Sequence, residues 1–318
     1  MVALLLRVML LVLAGAACLW AVLLWPVSPV LAGAAVALVL GSHALALALE
    51  MVALGRVSRG DPVPVASWRE RVRAWGQEVL VASRVFGWRQ PFFADEVPDA
   101  CGPGGAGTGR RGVVLLSGFA CNRGFWTPWL RRLRAQRRVF VAPSLEPPFG
   151  SIDDYVPQVD AAVARVTAAT GLPPVLVCHS MGGLAARAWL RAARADERVH
   201  HVITIGAPHQ GTWLARFSQL TNGRQMRLRS DWLAGLARSE PAARAARFTC
   251  WYSDCDNVVF PPSAAVLPGA RQRLVPGVAH VALAFCPQVM EVTLAAIERD
   301  CYTDDGPLAL SGGPAGGG

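Results

Sequence analysis

The residues best suited to covalent chemistry lie in one short segment, Cys178-His179-Ser180-Met181-Gly182-Gly183-Leu184. It follows an apolar run at 175–177 and precedes an Ala/Arg-rich stretch with helical spacing. A serine flanked by small residues between a strand and a helix occupies a strained turn that lifts its Oγ above the sheet. The helix N-terminus behind it adds positive potential for a developing oxyanion. A serine before a helix can also be an ordinary N-cap; here the preceding strand and the two following glycines favour chemistry. Such a nucleophile needs a base and a group to orient it. Two carboxylates, Asp254 and Asp256, compete for the second role just after an apolar run at 248–252. His280 and His209 compete for the first. His43 lies in an apolar N-terminal run, and His200 and His201 border a strand, so each has a structural explanation.

These residues need a scaffold, and the pattern behind them is regular. From residue 112 onward, short apolar runs at 112–116, 138–142, 175–178, 201–205, 248–252 and 273–275 alternate with helical patterns. That alternation predicts a parallel sheet covered by helices on both faces. Ser151-Ile152-Asp153-Asp154 forms a capping box that opens one of the helices, which ends near Gly171 before Pro173-Pro174. Chemistry in such sheets gathers at the carboxyl ends of the strands, and Ser180 and both Asp candidates fall there.

The segment His179-Ser180-Met181-Gly182-Gly183 resembles the nucleophile elbow of bacterial lipases and related α/β-hydrolases, with Cys178 at the first glycine position. The resemblance covers about residues 112–300 and rests on four separated motifs. It implies the α/β-hydrolase fold, with the acid and base following the serine in the order Ser, Asp, His. Ser117-Gly118-Phe119 looks like the oxyanion loop of that family, with serine in place of histidine. By position it implies the Phe119 and Met181 amides as oxyanion donors. The family's Asp followed by a Val-Val pair selects Asp256 over Asp254, which is then a turn-capping residue. Pro276-Gly277-Val278-Ala279-His280 resembles the family's histidine loop and makes His280 the base. His209, in Gly206-Ala207-Pro208-His209, matches a stretch that shapes the site. Cys178 is expected to point into the core. Asn122, which could brace the oxyanion loop, joins His179 and Trp213 as substrate-pocket candidates. The stretch from Thr212 to Phe248 is either a lid over an acyl pocket or a plain helical connection. No metal or organic cofactor is implied.

Of the 318 residues, 53% are hydrophobic and only 17% charged. That bias points to membrane segments. Residues 3–25 and 30–54 are each long enough to cross about 30 Å of hydrocarbon as a helix, and a Pro-flanked, uncharged gap joins them. A transmembrane hairpin is favoured over a cleaved signal peptide, because the first run is too long and has no cation before Arg7. Trp20 and Trp25 suit its far end. Arg56, Arg59, Arg69, Arg71 and Arg73 follow the second span, which predicts an inner-membrane protein with its catalytic domain on the cytoplasmic side. Residues 66–88 read as an amphipathic helix with Trp68, Val72, Val79 and Val85 on its apolar side, lying on the membrane or packed on the domain.

The expected organisation is two transmembrane helices at 1–55, an amphipathic helix and linker at 56–111, a catalytic domain at 112–304 and a disordered tail at 305–318. The net charge of +9 comes entirely from arginine, but no aromatic-plus-basic motif accompanies it, so nucleic acid is not an expected partner. Eight cysteines without CxxC spacing suggest reduced, buried thiols. The expected activity is cleavage of lipid-like carboxylic esters through an acyl-enzyme. An acyltransferase or thioesterase on the same fold, and a non-enzymatic membrane-anchored binding domain, are the alternatives.

Overall fold

A computed structural model describes residues 1–101, 109–300 and Tyr302. The expected tail at 305–318, and residues 102–108 of the expected linker at 98–111, lie outside the described residues.

Two long apolar helices come first, α1 (Val2–Leu24) and α2 (Pro29–Val57). Ser28 caps α2, with Pro29 at its first position, so the tight turn between the helices is set by cap and proline chemistry. Helix α3 (Trp68–Arg84) opens with a reciprocal capping box between Ser67 and Glu70. It buries Ala74, Glu78 and Ala82 against the rest of the chain, and the π-helical turn Val85–Arg89 leads from it into the short α4 (Gln90–Phe92). Packing on the domain is therefore what α3 does, although by another face than its apolar spacing suggests: Trp68 and Val72 stand exposed. A carboxylate, Glu78, sits in the middle of the buried stripe, which the periodicity could not reveal.

Beyond Ala100 the chain builds one sheet. Strand β1 (Val113–Leu116) is followed by α5 (Thr127–Ala135), β2 (Phe140–Val141), α6 (Val156–Thr170), β3 (Val175–His179), α7 (Met181–Ala192) and β4 (His201–Ile205). Then come α8 (Thr221–Gln225), α9 (Asp231–Arg238), β5 (Phe248–Tyr252), β6 (Arg271–Leu274), α10 (His280–Leu283) and α11 (Pro287–Arg299). All pairings are parallel, in the order β2-β1-β3-β4-β5-β6. The last strand begins two residues before the apolar run because it is an edge strand. Its Arg-Gln-Arg side chains are half-exposed, the composition that protects a sheet edge.

Alternation along the strands sorts the core into two layers. Val114, Leu116, Leu176, Cys178 and Val202 pack on one face with residues of α6 and α7. Val113, Leu115, Val175, Val177, Ile203 and Ile205 pack on the other with α5, α11 and Val85. Because the chain runs outward from β1 to β2 and then returns to β3, the connections diverge between β1 and β3. Open parallel sheets place their sites at such a divergence.

Two N-terminal helices are long and apolar enough to cross a membrane. The stretch His280–Arg299 passes the same test of length and composition, but 56% of its apolar window is buried, against 17% for α1 and 11% for α2. It is a core element of the domain.

Candidate active site

Ser180 stands between β3 and α7 with φ 55° and ψ −130°, in a region that non-glycine residues avoid. Its amide donates to the Ile205 carbonyl at 2.9 Å, and its carbonyl accepts from Gly183 at 3.0 Å. Both neighbouring backbones come very close. A Cβ on Gly182 would lie 2.3 Å from the Leu116 carbonyl oxygen, and one on Gly118 would lie 2.7 Å from the Ser180 Cβ. These glycines let α7 and the loop after β1 close on the serine from two sides.

Cys178 occupies the position two residues before the serine. It is fully buried in the α6–α7 layer, away from the site, and burial pushes its thiol well above the ordinary range. It is not a second nucleophile.

The loops after β5 and β6 meet at a hydrogen bond. His280 Nδ1 lies 2.8 Å from Asp256 Oδ2, and both side chains are buried. The other oxygen of Asp256 accepts from the Val258 amide at 2.9 Å and the Val259 amide at 2.7 Å. Gly206, at the end of β4, makes room for the pair: a Cβ there would meet Asp256 Oδ2 at 2.9 Å and His280 Nδ1 at 3.2 Å. Asp254 does different work, accepting from the Gly277 amide at 2.7 Å and tying the two loops together. Burial pulls the His280 pKa down, but the Asp256 charge and hydrogen bond, with smaller help from Glu78, outweigh it and leave the pKa above the ordinary histidine value.

Glu78 was not foreseen. Its two carboxylate oxygens accept from the amides of Val281 and Ala282 at 2.8 and 2.9 Å, directly after His280. Burial drives its pKa up to about 7 despite those two hydrogen bonds. Asn257 adds a second brace, with Oδ1 accepting the His280 amide at 3.1 Å and Nδ2 donating to Glu50 of α2 at 2.6 Å. The signal for Asn257 was its place beside Asp256; Glu78 and Glu50 carried none, since they act from over 200 residues away.

Of the pocket candidates, His179 lines a cavity with Ser180 and His280. It stacks on Phe125 at 4.5 Å between ring centroids, and its Nε2 lies 3.1 Å from the His280 carbonyl. Burial, and then the charge of His280, hold its pKa well below the ordinary value, so the neutral ring donates from Nε2. Asn122 sits behind the loop and lines neither of the cavities around Ser180 described below. It takes Gly124 N–H on Oδ1 and donates Nδ2 to the Gln90 carbonyl, bracing the loop. Trp213 also points away, stacking on Phe260 at 5.7 Å. Its neighbours Thr212, Leu214 and Ala215 line the cavity instead, because the segment winds as a 3₁₀ turn from Trp213 to Phe217 and Trp213 falls on its other side. The first half of the 212–248 stretch thus roofs Ser180, while α9 packs on α7. His209 is buried elsewhere, with Nε2 3.0 Å from Thr204 Oγ1. Met181 opens α7, where N–H groups lack helical acceptors, and among the described residues neither its amide nor that of Phe119 donates to a loop or turn carbonyl.

Among the described residues no His, Cys, Asp or Glu cluster is arranged to hold a metal ion, and the seven described cysteines are all unpaired.

The sequence profile of the Alpha/beta hydrolase family matches residues 113–305. The chain belongs to that family. Among curated protein sequences no match is found. The crystal structure of a mature lipase of Bacillus licheniformis superposes with a TM-score of 0.53 at 14% identity, over 59% of this chain and 92% of that one. Lipase B of Aspergillus fumigatus gives 0.55 at 18%, over 64% of this chain and 55% of that one, so this chain spans about half of that lipase. At such identities the likeness is one of fold. The family match begins at β1; α1, α2, α3 and α4 precede it.

Proposed function

We propose that this α/β hydrolase is a membrane-anchored serine esterase of the lipase type. The observation that carries the reading is the grouping of Ser180, in its left-handed elbow, with His280 on one cavity, while Asp256 holds the far nitrogen of that histidine at 2.8 Å. His280 takes the proton of Ser180 Oγ as it attacks an ester carbonyl, and Asp256 keeps the imidazole in the needed tautomer and stabilises its cation. The Phe119 and Met181 amides receive the oxyanion. His280 then protonates the leaving alcohol, and water, activated by the same histidine, releases the acid.

The anchor is the α1–α2 hairpin. Both of its free ends lie against the hydrolase domain: the Met1 ammonium is 2.7 Å from Glu146, and just past α2 the Asp61 carboxylate accepts from the Ser263 amide at 3.3 Å. With arginines clustered after α2, the positive-inside rule places the domain in the cytoplasm.

The test is labelling of the full-length chain by a fluorophosphonate probe alongside turnover of p-nitrophenyl esters, with Ser180→Ala as the blank. Labelling and turnover that vanish in Ser180→Ala support the reading; an unlabelled wild-type protein, or activity that survives the substitution, overturns it. Single cysteines placed in the Trp25–Ser28 turn and in the domain report orientation by their reactivity toward an impermeant maleimide.

A further inference from the structure

Ser180 borders two cavities, and they differ in what surrounds them. One, about 180 Å³, lies under the 212–226 segment and is lined mainly by apolar groups such as Leu214 and Met226. The other, about 250 Å³, is bordered by His280, by Glu78 of α3, and by His43, Leu47 and Glu50 of α2. Each alone is smaller than the ~300–1,000 Å³ of pockets that hold a whole drug-sized ligand, so each suits part of a substrate. Phe119, Ser180 and Val258 are common to both, which puts the reacting carbonyl where they join.

His280 borders only the second cavity. The histidine that accepts the serine proton must hand it to the leaving oxygen, so the leaving alcohol belongs on the His280 side and the acyl chain in the apolar cavity. The wall on the alcohol side is a helix apolar enough to lie in a bilayer. His43, Leu47 and Glu50 are four and three residues apart on α2, hence on one face, and Met51 and Leu54 continue that face into the domain core.

Depth gives the second argument. On α1, Arg7 donates to the Pro91 carbonyl at 2.7 Å, beside exposed Trp88, Phe92 and Phe93. This is the arginine-and-aromatic pattern of a membrane interface. From Arg7 to Trp25 is 18 residues, about 27 Å of helix, close to the ~30 Å of a hydrocarbon core. The same 18-residue rise from Pro29 reaches Leu47. The second cavity therefore lies at the level where a membrane lipid carries its ester, between acyl chain and head.

We propose that the cavity walled by α2 is the subsite for the alcohol half of a bilayer-resident ester, a short hydroxyl-bearing alcohol facing Glu50. The hairpin is then part of the active site as well as its anchor. This rests on the esterase reading above. The Glu50 carboxylate accepts one bond from Asn257 and retains acceptor capacity for a substrate hydroxyl.

The experiment uses full-length protein in phospholipid vesicles and three esters: methyl acetate, methyl octanoate and 1-monooctanoylglycerol. Leu47→Trp should lower the glycerol-to-methyl ratio of kcat/KM for the octanoates at least ten-fold and leave the octanoate-to-acetate ratio of the methyl esters within two-fold. Leu214→Trp should do the reverse. Leu47→Ala, which cannot overfill the site, should raise the glycerol-to-methyl ratio for the octanoates. Fluorophosphonate labelling of each variant shows that Ser180 still reacts, separating failure of this proposal from failure of the esterase reading. Labelled Leu47 variants with an unchanged glycerol-to-methyl ratio, or with a changed acyl preference instead, overturn the subsite.

Discussion

Glu78 grips the backbone of Val281 across 203 residues of sequence, accepting its amide at 2.8 Å while the second oxygen takes the next amide, that of Ala282. The histidine loop of this hydrolase is thus held by a helix that lies before the family-matched region. Removing the acceptor leaves two buried N–H groups without partners, at ~1–3 kcal/mol each. Glu78→Ala should lower the melting temperature and reduce kcat by displacing His280, whereas Glu78→Gln should retain more of both, since one oxygen remains. Thermal denaturation and ester turnover measured together check this. A drop in kcat without any loss of stability would contradict the brace.

Glu78 also predicts a pH dependence of stability. Its folded pKa, about 7, lies above the ordinary glutamate value of 4.5, so between these limits the folded state keeps a proton that the unfolded state has lost. Its contribution to stability is full below about pH 4.5 and is lost as pH rises through about 7. Denaturant midpoints between pH 5 and 8 should fall with pH in the wild type and fall less steeply in Glu78→Gln.

The two aspartates should separate cleanly. Asp256→Asn should cost about 10⁴-fold in kcat, the scale for a misoriented catalytic imidazole, while Asp254→Asn, which weakens a turn at Gly277, should cost under ~1.5 kcal/mol of stability and little rate. The acid limb of kcat/KM reports the unliganded His280 and should have its midpoint above 6.5, the ordinary histidine value, because Asp256 raises the pKa. Since activity needs the neutral ring, rate is lost as pH falls through that midpoint. Asp256→Asn should move it downward.

Gly118 and Gly182 should fail in different ways. Gly182→Ala drives a methyl against the Leu116 carbonyl at 2.3 Å, wedging α7 from β1, and should lower stability markedly. Gly118→Ala pushes against the Ser180 Cβ from a loop outside the regular elements. It should melt closer to wild type yet lose about 10²-fold in kcat, the scale of one displaced oxyanion donor.

Cys178 should prove chemically silent. Alkylation of the native protein should leave it unmodified, because it is fully buried and its thiol pKa is pushed up. Cys178→Ala should keep wild-type kcat within a few-fold and cost about 1 kcal/mol of stability, the scale for loss of a small buried group.

The sequence by itself determined the sheet and the chemical order along it. Apolar runs between turn and helix patterns mark strands wherever strands are buried on both faces; the edge strand β6, with Arg271 and Arg273 half-exposed, begins before its run, and β2 is shorter than the run at 138–142. The places of Ser180, Phe119, Met181 and His280, each just past a strand or at the start of a helix, were legible because local chain geometry dictates where such residues stand. The tertiary structure decided the rest. It put Asp256 beside His280 and Asp254 on Gly277, contacts that span 24 and 23 residues of chain. It turned Leu214 toward the cavity in place of Trp213, and Ala74, Glu78 and Ala82 of α3 inward in place of Trp68 and Val72. It brought Glu50, Glu78 and Gly206 to the histidine loop. These residues act through long-range hydrogen bonds and close approach, and such contacts exist only once the chain has folded around them.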